Sequence, residues 1–216
     1  MLRRGTAAMV KDGIVKSVGG DELRARSGEN RMGSVCVFCG SAPGSDPRFL
    51  QAARATGALL ARRGLALVYG GGQVGMMGAL ADAALEARGR VTGVIPRHLM
   101  RPEVAHTRLT DLVVVESMHE RKWQMAQRAD GFLALPGGYG TLDETFEMVT
   151  WLQLGLHSKP VVLVNVGGYF DSVLRWLGHA VQSGFVHGGQ ERLLAAADTP
   201  AAALGLLEAQ RRSQPA

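Results

Sequence analysis

Cysteine is nearly absent from this chain of 216 residues, aromatic residues make up only 6% of it, and no long apolar run occurs. Each shortage excludes something. The two cysteines, Cys36 and Cys39, have the C-x-x-C spacing of a redox pair or half a zinc site. A structural zinc site needs four ligands, and no second ligand pair is present. Both lie within or just after an apolar segment, Val35 to Phe38, so buried reduced thiols in a reducing compartment are expected. No stretch reaches the roughly 18–20 apolar residues of a membrane-spanning helix, so no membrane partner is expected. The first residues carry no secretory hydrophobic segment, which gives the cytoplasm as the expected location.

The shortage of aromatics also bears on charge. A net charge of +5 and a pI near 9.7 would suit a nucleic-acid binder. The basic residues are spread out, however, in pairs such as Arg3-Arg4, Arg62-Arg63 and Arg211-Arg212, and none interleaves with aromatics. A solvated basic surface follows, with no polynucleotide partner and with room for a small anionic ligand.

What is present is a chain with 46% apolar and 20% charged residues, typical of a globular fold, and 29 glycines that cluster after apolar runs. Residues 1–31 mix charge and small residues without a period and are expected to form a flexible leader. Residues 32–216 then form a single domain in which strand and helix alternate. Strands are expected at Ser34–Phe38, Leu65–Tyr69, Val91–Ile95, Leu112–Val115, Gly131–Leu135 and Pro160–Asn165. Helices are expected from Pro47 to about Arg63, Val74 to Arg88, after Ser117, from about Leu142 to Leu154, Phe170 to Gln182 and Pro200 to Arg211. Asp46 with Pro47, and Ser117 with Glu120, have the residue types of helix starts. This succession predicts an α/β fold: a Rossmann-like, doubly wound, mainly parallel sheet with helices on both faces. Ligands of such folds bind outside the carboxyl ends of the strands.

Four segments fall at those ends: Gly40-Ser41, Gly70 to Gly78, Glu116 to Lys122, and Pro136 to Glu144. The last, Pro136-Gly137-Gly138-Tyr139-Gly140-Thr141-Leu142-Asp143-Glu144, organises the rest. Glycines between a strand and a helix let a ligand approach bare backbone, and free amides at a helix start favour an anion such as phosphate. Glu144 is expected in the first helical turn, pointing back toward that anion. A purely structural alternative for Asp143 and Glu144 is to complement the helix dipole.

The other segments allow fewer conclusions. Gly70, Gly72 and Gly75 have the G-x-G-x-x-G spacing, but no ribose-binding acid follows about 20 residues later. Neither glycine loop has the Lys-Ser/Thr ending of a P-loop. Tight turns that pack helix on strand remain the alternative for Gly70 to Gly75. Ser117-Met118-His119-Glu120-Arg121-Lys122 lacks the second histidine of a zincin motif. A solvated charged face is its ordinary meaning, yet at a strand end Arg121 and Lys122 could reach an anion in the neighbouring loop. His119 could orient a neighbour, while Trp123 and Met125 are expected to pack into the core.

Taken together, the Pro136-to-Glu144 segment and Ser117 to Lys122 resemble the Lonely guy family, the cytokinin riboside 5′-monophosphate phosphoribohydrolases once labelled lysine decarboxylases. Cys39-Gly40-Ser41, Tyr69-Gly70-Gly71-Gly72 and Lys159-Pro160 fit as well, and the similarity runs from about Ser34 to Ala209. The resemblance implies hydrolysis of the N-glycosidic bond of a nucleoside 5′-monophosphate, giving free base and ribose 5-phosphate. Arg121 and Glu144 would be the catalytic pair, and Gly137, Gly138, Tyr139, Gly140 and Thr141 would hold the phosphate. Leu142 and Asp143 would continue the pocket wall, and Glu103, Lys122 and Thr150 align with nucleotide contacts, with Met118, Gly40 and Ser41 also assigned to the substrate site. The motif often carries two glutamates where this chain has Asp143-Glu144. No cofactor and no metal are implied, since decarboxylation would need pyridoxal phosphate on a lysine and neither Lys122 nor Lys159 lies in such a motif. A homodimer or higher homo-oligomer is expected. A general nucleotide hydrolase and a non-catalytic nucleotide or cofactor carrier on the same fold are the competing readings.

Overall fold

The computed structural model describes residues 32–101 and 104–213. Among these are seven strands: β1 (Ser34–Phe38), β2 (Ala66–Tyr69), β3 (Val91–Pro96), β4 (Asp111–Val115), β5 (Phe132–Ala134), β6 (Val161–Val164) and β7 (Leu194–Ala197). Between and after them run the helices α1 (Pro47–Arg62), α2 (Gly75–Glu86), α3 (Met118–Gln127), α4 (Tyr139–Gln153), α5 (Asp171–Gln182) and α6 (Pro200–Arg212). The strands form one sheet in the order β4-β3-β2-β1-β5-β6-β7, and every neighbouring pair is parallel. The expected doubly wound α/β architecture is therefore present. The leader expected over residues 1–31 lies outside the described residues.

Period-two alternation divides the strands between two cores. Val35, Val37, Leu67, Leu133 and Val162 face one side and pack with Leu60 of α1, Leu80 of α2 and Leu207 of α6. Cys36, Phe38, Val68, Phe132 and Leu163 face the other and pack with Met125 of α3, Met148 of α4 and Leu174 of α5. Each fully buried leucine or phenylalanine contributes about 1.5–3 kcal/mol, so two apolar faces on one sheet account for central strands with few polar positions. The same alternation places Cys36 and Cys39 in different cores. Both are buried and free, as expected of reduced thiols.

Two local expectations differ from the structure. The pattern predicts six strands, and β7 adds a seventh, paired in parallel with β6 from Val161 opposite Leu194 to Val164 opposite Ala197. Leu-Ala-Ala-Ala has helix-forming composition, and pairing with the buried β6 overrides that preference. Trp123, expected in the core, is 50% exposed on α3. Met125 on the same helix is buried as expected.

Strand order reverses at β1, where β2 lies on one side and β5 on the other. Phe38 is in register with Ala134, so the segments beginning at Cys39 and Leu135 leave the sheet side by side. A crevice at such a reversal is where open α/β sheets take their ligands.

Candidate active site

The site begins with the backbone at this reversal. The Gly40 N–H donates to the Pro136 carbonyl at 3.1 Å, stitching the β1 loop to the β5 loop. Gly137 lies deeper, and a β-carbon there would come within 2.0 Å of the Thr141 hydroxyl. Gly138 and Gly140 differ: a β-carbon on either would meet nothing within 4 Å. The chain leaves space in front of them.

Helix α4 starts at Tyr139 with Gly138 as its N-cap, and no side chain caps it. At α3, by contrast, the Ser117 hydroxyl accepts from the Glu120 N–H at 3.1 Å, and the Glu120 carboxylate accepts from the Glu116 N–H at 2.9 Å. A helix start without a side-chain cap leaves its first amides for solvent or a ligand, with the positive end of the dipole behind them. Tyr139 stands 95% exposed at this opening, and Thr141 is buried just behind it.

The start at Tyr139 corrects the expectation for Glu144. The helix begins three residues earlier than the apolar pattern suggests, because the glycine-rich turn itself adopts helical geometry. Glu144 therefore falls in the second turn, and the first turn carries no acidic residue. Dipole complementation is accordingly a poor account of Glu144.

Its partner comes from α3. Arg121 Nη1 lies 2.6 Å from Glu144 Oε1, with side-chain exposures of only 11% and 8%. A second bond, from Arg121 Nε to the Val94 carbonyl at 3.1 Å, fixes the guanidinium against β3. Burial pushes the Glu144 carboxyl above the ordinary carboxylate range, and the positive charge of Arg121 pulls it partway back. Burial, reinforced by the Glu144 charge, pushes the Cys39 thiol far up, which disfavours its thiolate.

Lys122 and Asp143 form a second bridge between the helices. The Lys122 ammonium lies 3.1 Å from Asp143 Oδ2 and 3.0 Å from Glu147 Oε2. Burial works against this ammonium, but the hydrogen bonds it donates to Glu147 and Asp143, with their negative charge, outweigh it and hold its pKa above the ordinary lysine value. Two consecutive residues of α3 thus meet two consecutive residues of α4.

The remaining expected residues are placed unevenly. Ser41 is exposed in the β1–α1 loop, and its carbonyl would lie 2.1 Å from a β-carbon on Gly75. Met118 is 39% exposed in the first turn of α3. Leu142 turns inward and packs half-buried on the Phe38–Met148 core, so it supports α4 from below. Thr150 is exposed and donates to the Phe146 carbonyl, well along α4 from the glycine turn. Glu103 lies outside the described residues. His119 is exposed. His106, by contrast, is buried, with Nε2 3.2 Å from Asp82 and its N–H donating to the Gly71 carbonyl.

Two participants were missed, the Val94 carbonyl and Tyr169, and Gly70 was named only within its glycine segment, with no part assigned to it. The Val94 carbonyl is backbone and has no signature in sequence. Gly70 makes room for Arg121, since a β-carbon there would lie 2.0 Å from Nη2. Tyr169 donates its hydroxyl to the Gly137 carbonyl at 2.5 Å. Its place just past β6, at the carboxyl edge of the sheet, was a signal that could have found it.

Known proteins resemble this chain along most of its length. A family model described as "Possible lysine decarboxylase" matches residues 77–207. A cytokinin riboside 5′-monophosphate phosphoribohydrolase of Arabidopsis thaliana is 45% identical over 78% of this chain and 78% of its own. A probable enzyme of the same name from Oryza sativa subsp. japonica is 47% identical over 80% of this chain and 76% of its own. Among solved structures, a molybdenum cofactor binding protein from Rippkaea orientalis has a TM-score of 0.62 at 20% identity, covering 82% of this chain and 96% of that one. The molybdenum cofactor carrier protein of Chlamydomonas reinhardtii has a TM-score of 0.61 at 21% identity, covering 83% and 98%. The structural matches share the fold. The sequence matches go further, and by them the chain belongs to the Lonely guy family of phosphoribohydrolases.

Proposed function

We propose that this protein hydrolyses the N-glycosidic bond of cytokinin riboside 5′-monophosphates, and of AMP more slowly, to free base and ribose 5-phosphate. The observation that carries the proposal is the buried Arg121–Glu144 pair at 2.6 Å, set beside an uncapped glycine turn at the sheet's reversal point. Binding alone would use the glycine turn. A desolvated acid paired with a guanidinium adds chemistry.

Cleavage of the C1′–N bond builds positive charge on the ribose, as in glycoside hydrolysis. In the proposed mechanism Glu144 stabilises that charge or orients the attacking water. Arg121 offsets negative charge on the departing base or on the phosphate. The amides of Gly138 to Thr141 hold the 5′-phosphate, and this remote grip fixes the reacting bond relative to Glu144. Gly40, Ser41, Met118, Lys122 and Asp143 border the same region in this reading, with Glu103 and Thr150 as further nucleotide contacts.

The assembly proposed is a homodimer or a higher homo-oligomer. Val114 on the edge strand β4 and Met118 and Trp123 on α3 are exposed apolar side chains that a second copy would cover. No helix among the described residues is long and apolar enough to cross a membrane. A reducing cytoplasm suits two unpaired thiols.

The test is product analysis with isopentenyladenosine monophosphate, AMP, GMP and CMP. Release of ribose 5-phosphate, fastest from the isopentenyl substrate, is the expected result. Equal rates on all four would replace the cytokinin assignment with a general nucleotide hydrolase. No product from any of them would end the enzyme reading. Sedimentation as a pure monomer would remove the dimer.

A further inference from the structure

Tyr169 lies in the loop between β6 and α5, outside every motif that marks the family resemblance. Its hydroxyl donates to the Gly137 carbonyl at 2.5 Å. The ring is held edge-on by Phe49, at 5.4 Å between centroids, and by Phe170, at 5.0 Å. Phe170 is fixed in turn through its N–H to the Asn165 side-chain oxygen at 2.7 Å. Asn165 is buried and also donates to Asp171 at 2.8 Å. This is a braced aromatic hydroxyl directed at a single backbone oxygen.

That oxygen belongs to the peptide joining Gly137 to Gly138. With glycine on both sides, little steric resistance opposes rotation of the peptide plane. In a trans peptide the carbonyl and the N–H point in opposite directions. The two orientations therefore present opposite charge to anything bound at the turn. One offers the Gly138 N–H to an anion. The other offers the Gly137 carbonyl, which would repel it. Gly40 performs a like service one residue earlier, where its N–H holds the Pro136 carbonyl.

We infer that Tyr169 is a positioning residue for phosphate: by holding the Gly137 carbonyl it keeps the Gly138 N–H turned toward the anion. Tyr169 touches neither base nor ribose in this arrangement, so its contribution is to affinity for the phosphate group. The inference rests on the proposed phosphate site at this turn and deepens it. It makes substrate selection for a 5′-phosphate depend on a side chain contributed by a separate loop.

The experiment compares wild type with Tyr169→Phe, which keeps the ring and its packing. Calorimetric titration with ribose 5-phosphate is expected to show a dissociation constant raised about 5–20-fold, the loss of one hydrogen bond that orders a charged-ligand contact. The KM for AMP should rise by a similar factor with kcat within about twofold, since uniform binding and no transition-state contact is lost. Whatever rate the wild type shows on unphosphorylated adenosine should be unchanged in the variant, and thermal melting checks that the variant is folded. Unchanged affinity for ribose 5-phosphate would overturn the inference. So would a loss in kcat that is equal for AMP and adenosine. Wild-type protein that binds ribose 5-phosphate but cleaves nothing would sink the hydrolase proposal alone. Wild-type protein that cleaves AMP but does not bind ribose 5-phosphate would sink the positioning inference alone.

Discussion

Gly70 and Arg121 are complementary: a β-carbon on the glycine would lie 2.0 Å from the guanidinium Nη2, so the arginine occupies space that only glycine vacates. Gly70 needs no positive φ, and alanine is compatible with its backbone. The conflict in Gly70→Ala falls on the arginine side chain, which must leave the Val94 carbonyl, Glu144 or both. We expect Gly70→Ala to lower kcat/KM by about 10²-fold or more, the scale of losing one oriented charged group, and to destabilise the fold by as much as about 3–5 kcal/mol, since a displaced guanidinium leaves the buried Glu144 without its partner. Steady-state kinetics with a urea titration check both. Activity near wild type would show that Arg121 need not sit where it does.

Glu144→Gln keeps the shape of the side chain and removes its charge. Burial already disfavours the Glu144 carboxylate, and Arg121 opposes that effect. If the carboxylate stabilises a ribose cation, the amide should reduce kcat by about 10²–10³-fold or more and leave nucleotide affinity within about threefold. Single-turnover kinetics and equilibrium titration with AMP separate the two. The wild-type acid limb of kcat/KM should lie above the ordinary glutamate value of about 4.3, since burial raises this group. An acid limb at or below that value would assign the limb to another residue.

Lys122 is one residue from Arg121 and does different work in the free protein. Its ammonium is shared between Asp143, whose side chain is 59% exposed, and Glu147, whose side chain is 23% exposed. Replacing it by methionine leaves Glu147 with no opposite charge across the helix pair. Lys122→Met is expected to destabilise the fold by about 1–3 kcal/mol, less than a fully buried pair because both acids reach solvent. Asp143→Ala should cost less than about 1 kcal/mol, as for a surface pair. Urea midpoints of the two variants give the comparison directly. A smaller loss for Lys122→Met than for Asp143→Ala would contradict the bridge.

How far these arrangements were legible in sequence depends on whether a side chain or a backbone atom carries them. The parallel sheet followed from unbroken apolar runs such as Val161–Val164, which only burial on both faces explains. The glycine turn, Arg121 and Glu144 stood out in sequence as candidates for an anion site because they follow strands, whereas the pairing of Arg121 with Glu144 came only from the family resemblance. The start of α4 was not, since apolar periodicity begins only at Leu142 while Tyr139 to Thr141 are already helical. β7 was hidden by the helical preference of Ala195 to Ala197, which β6 overrides. Trp123 was misplaced because size suggested burial, whereas its neighbours Lys122 and Met125 take the inward positions of α3. The Tyr169 contact joins residues 32 positions apart through a backbone oxygen, a relation that no local pattern encodes.

His157, in the connection from α4 to β6, gives the last prediction, on stability and pH. Its Nδ1 accepts from the Lys159 N–H at 3.1 Å, and its ring lies 5.5 Å from Phe132. Burial, with some repulsion from Lys159, lowers its pKa to about 4 from an ordinary value of 6.5. Between those two values the unfolded chain binds a proton that the folded chain refuses, so folding stability rises with pH across the window. The contribution is complete above about pH 6.5 and is lost as pH falls toward 4. After allowance for partial exposure to solvent, its size is about 1–2 kcal/mol. Glu144 acts in the opposite sense. Its raised pKa lets the folded state take up a proton more readily than the unfolded one, so its contribution is lost as pH rises through the folded value. The net slope of the wild type therefore mixes the two, and only a difference isolates His157. Urea unfolding of wild type and His157→Gln at pH 7, 5.5 and 4 should show the wild type losing stability relative to the variant as the solution is acidified. Parallel curves would mean that water reaches the imidazole freely, in which case the packing of Phe132 against it does not hold in solution.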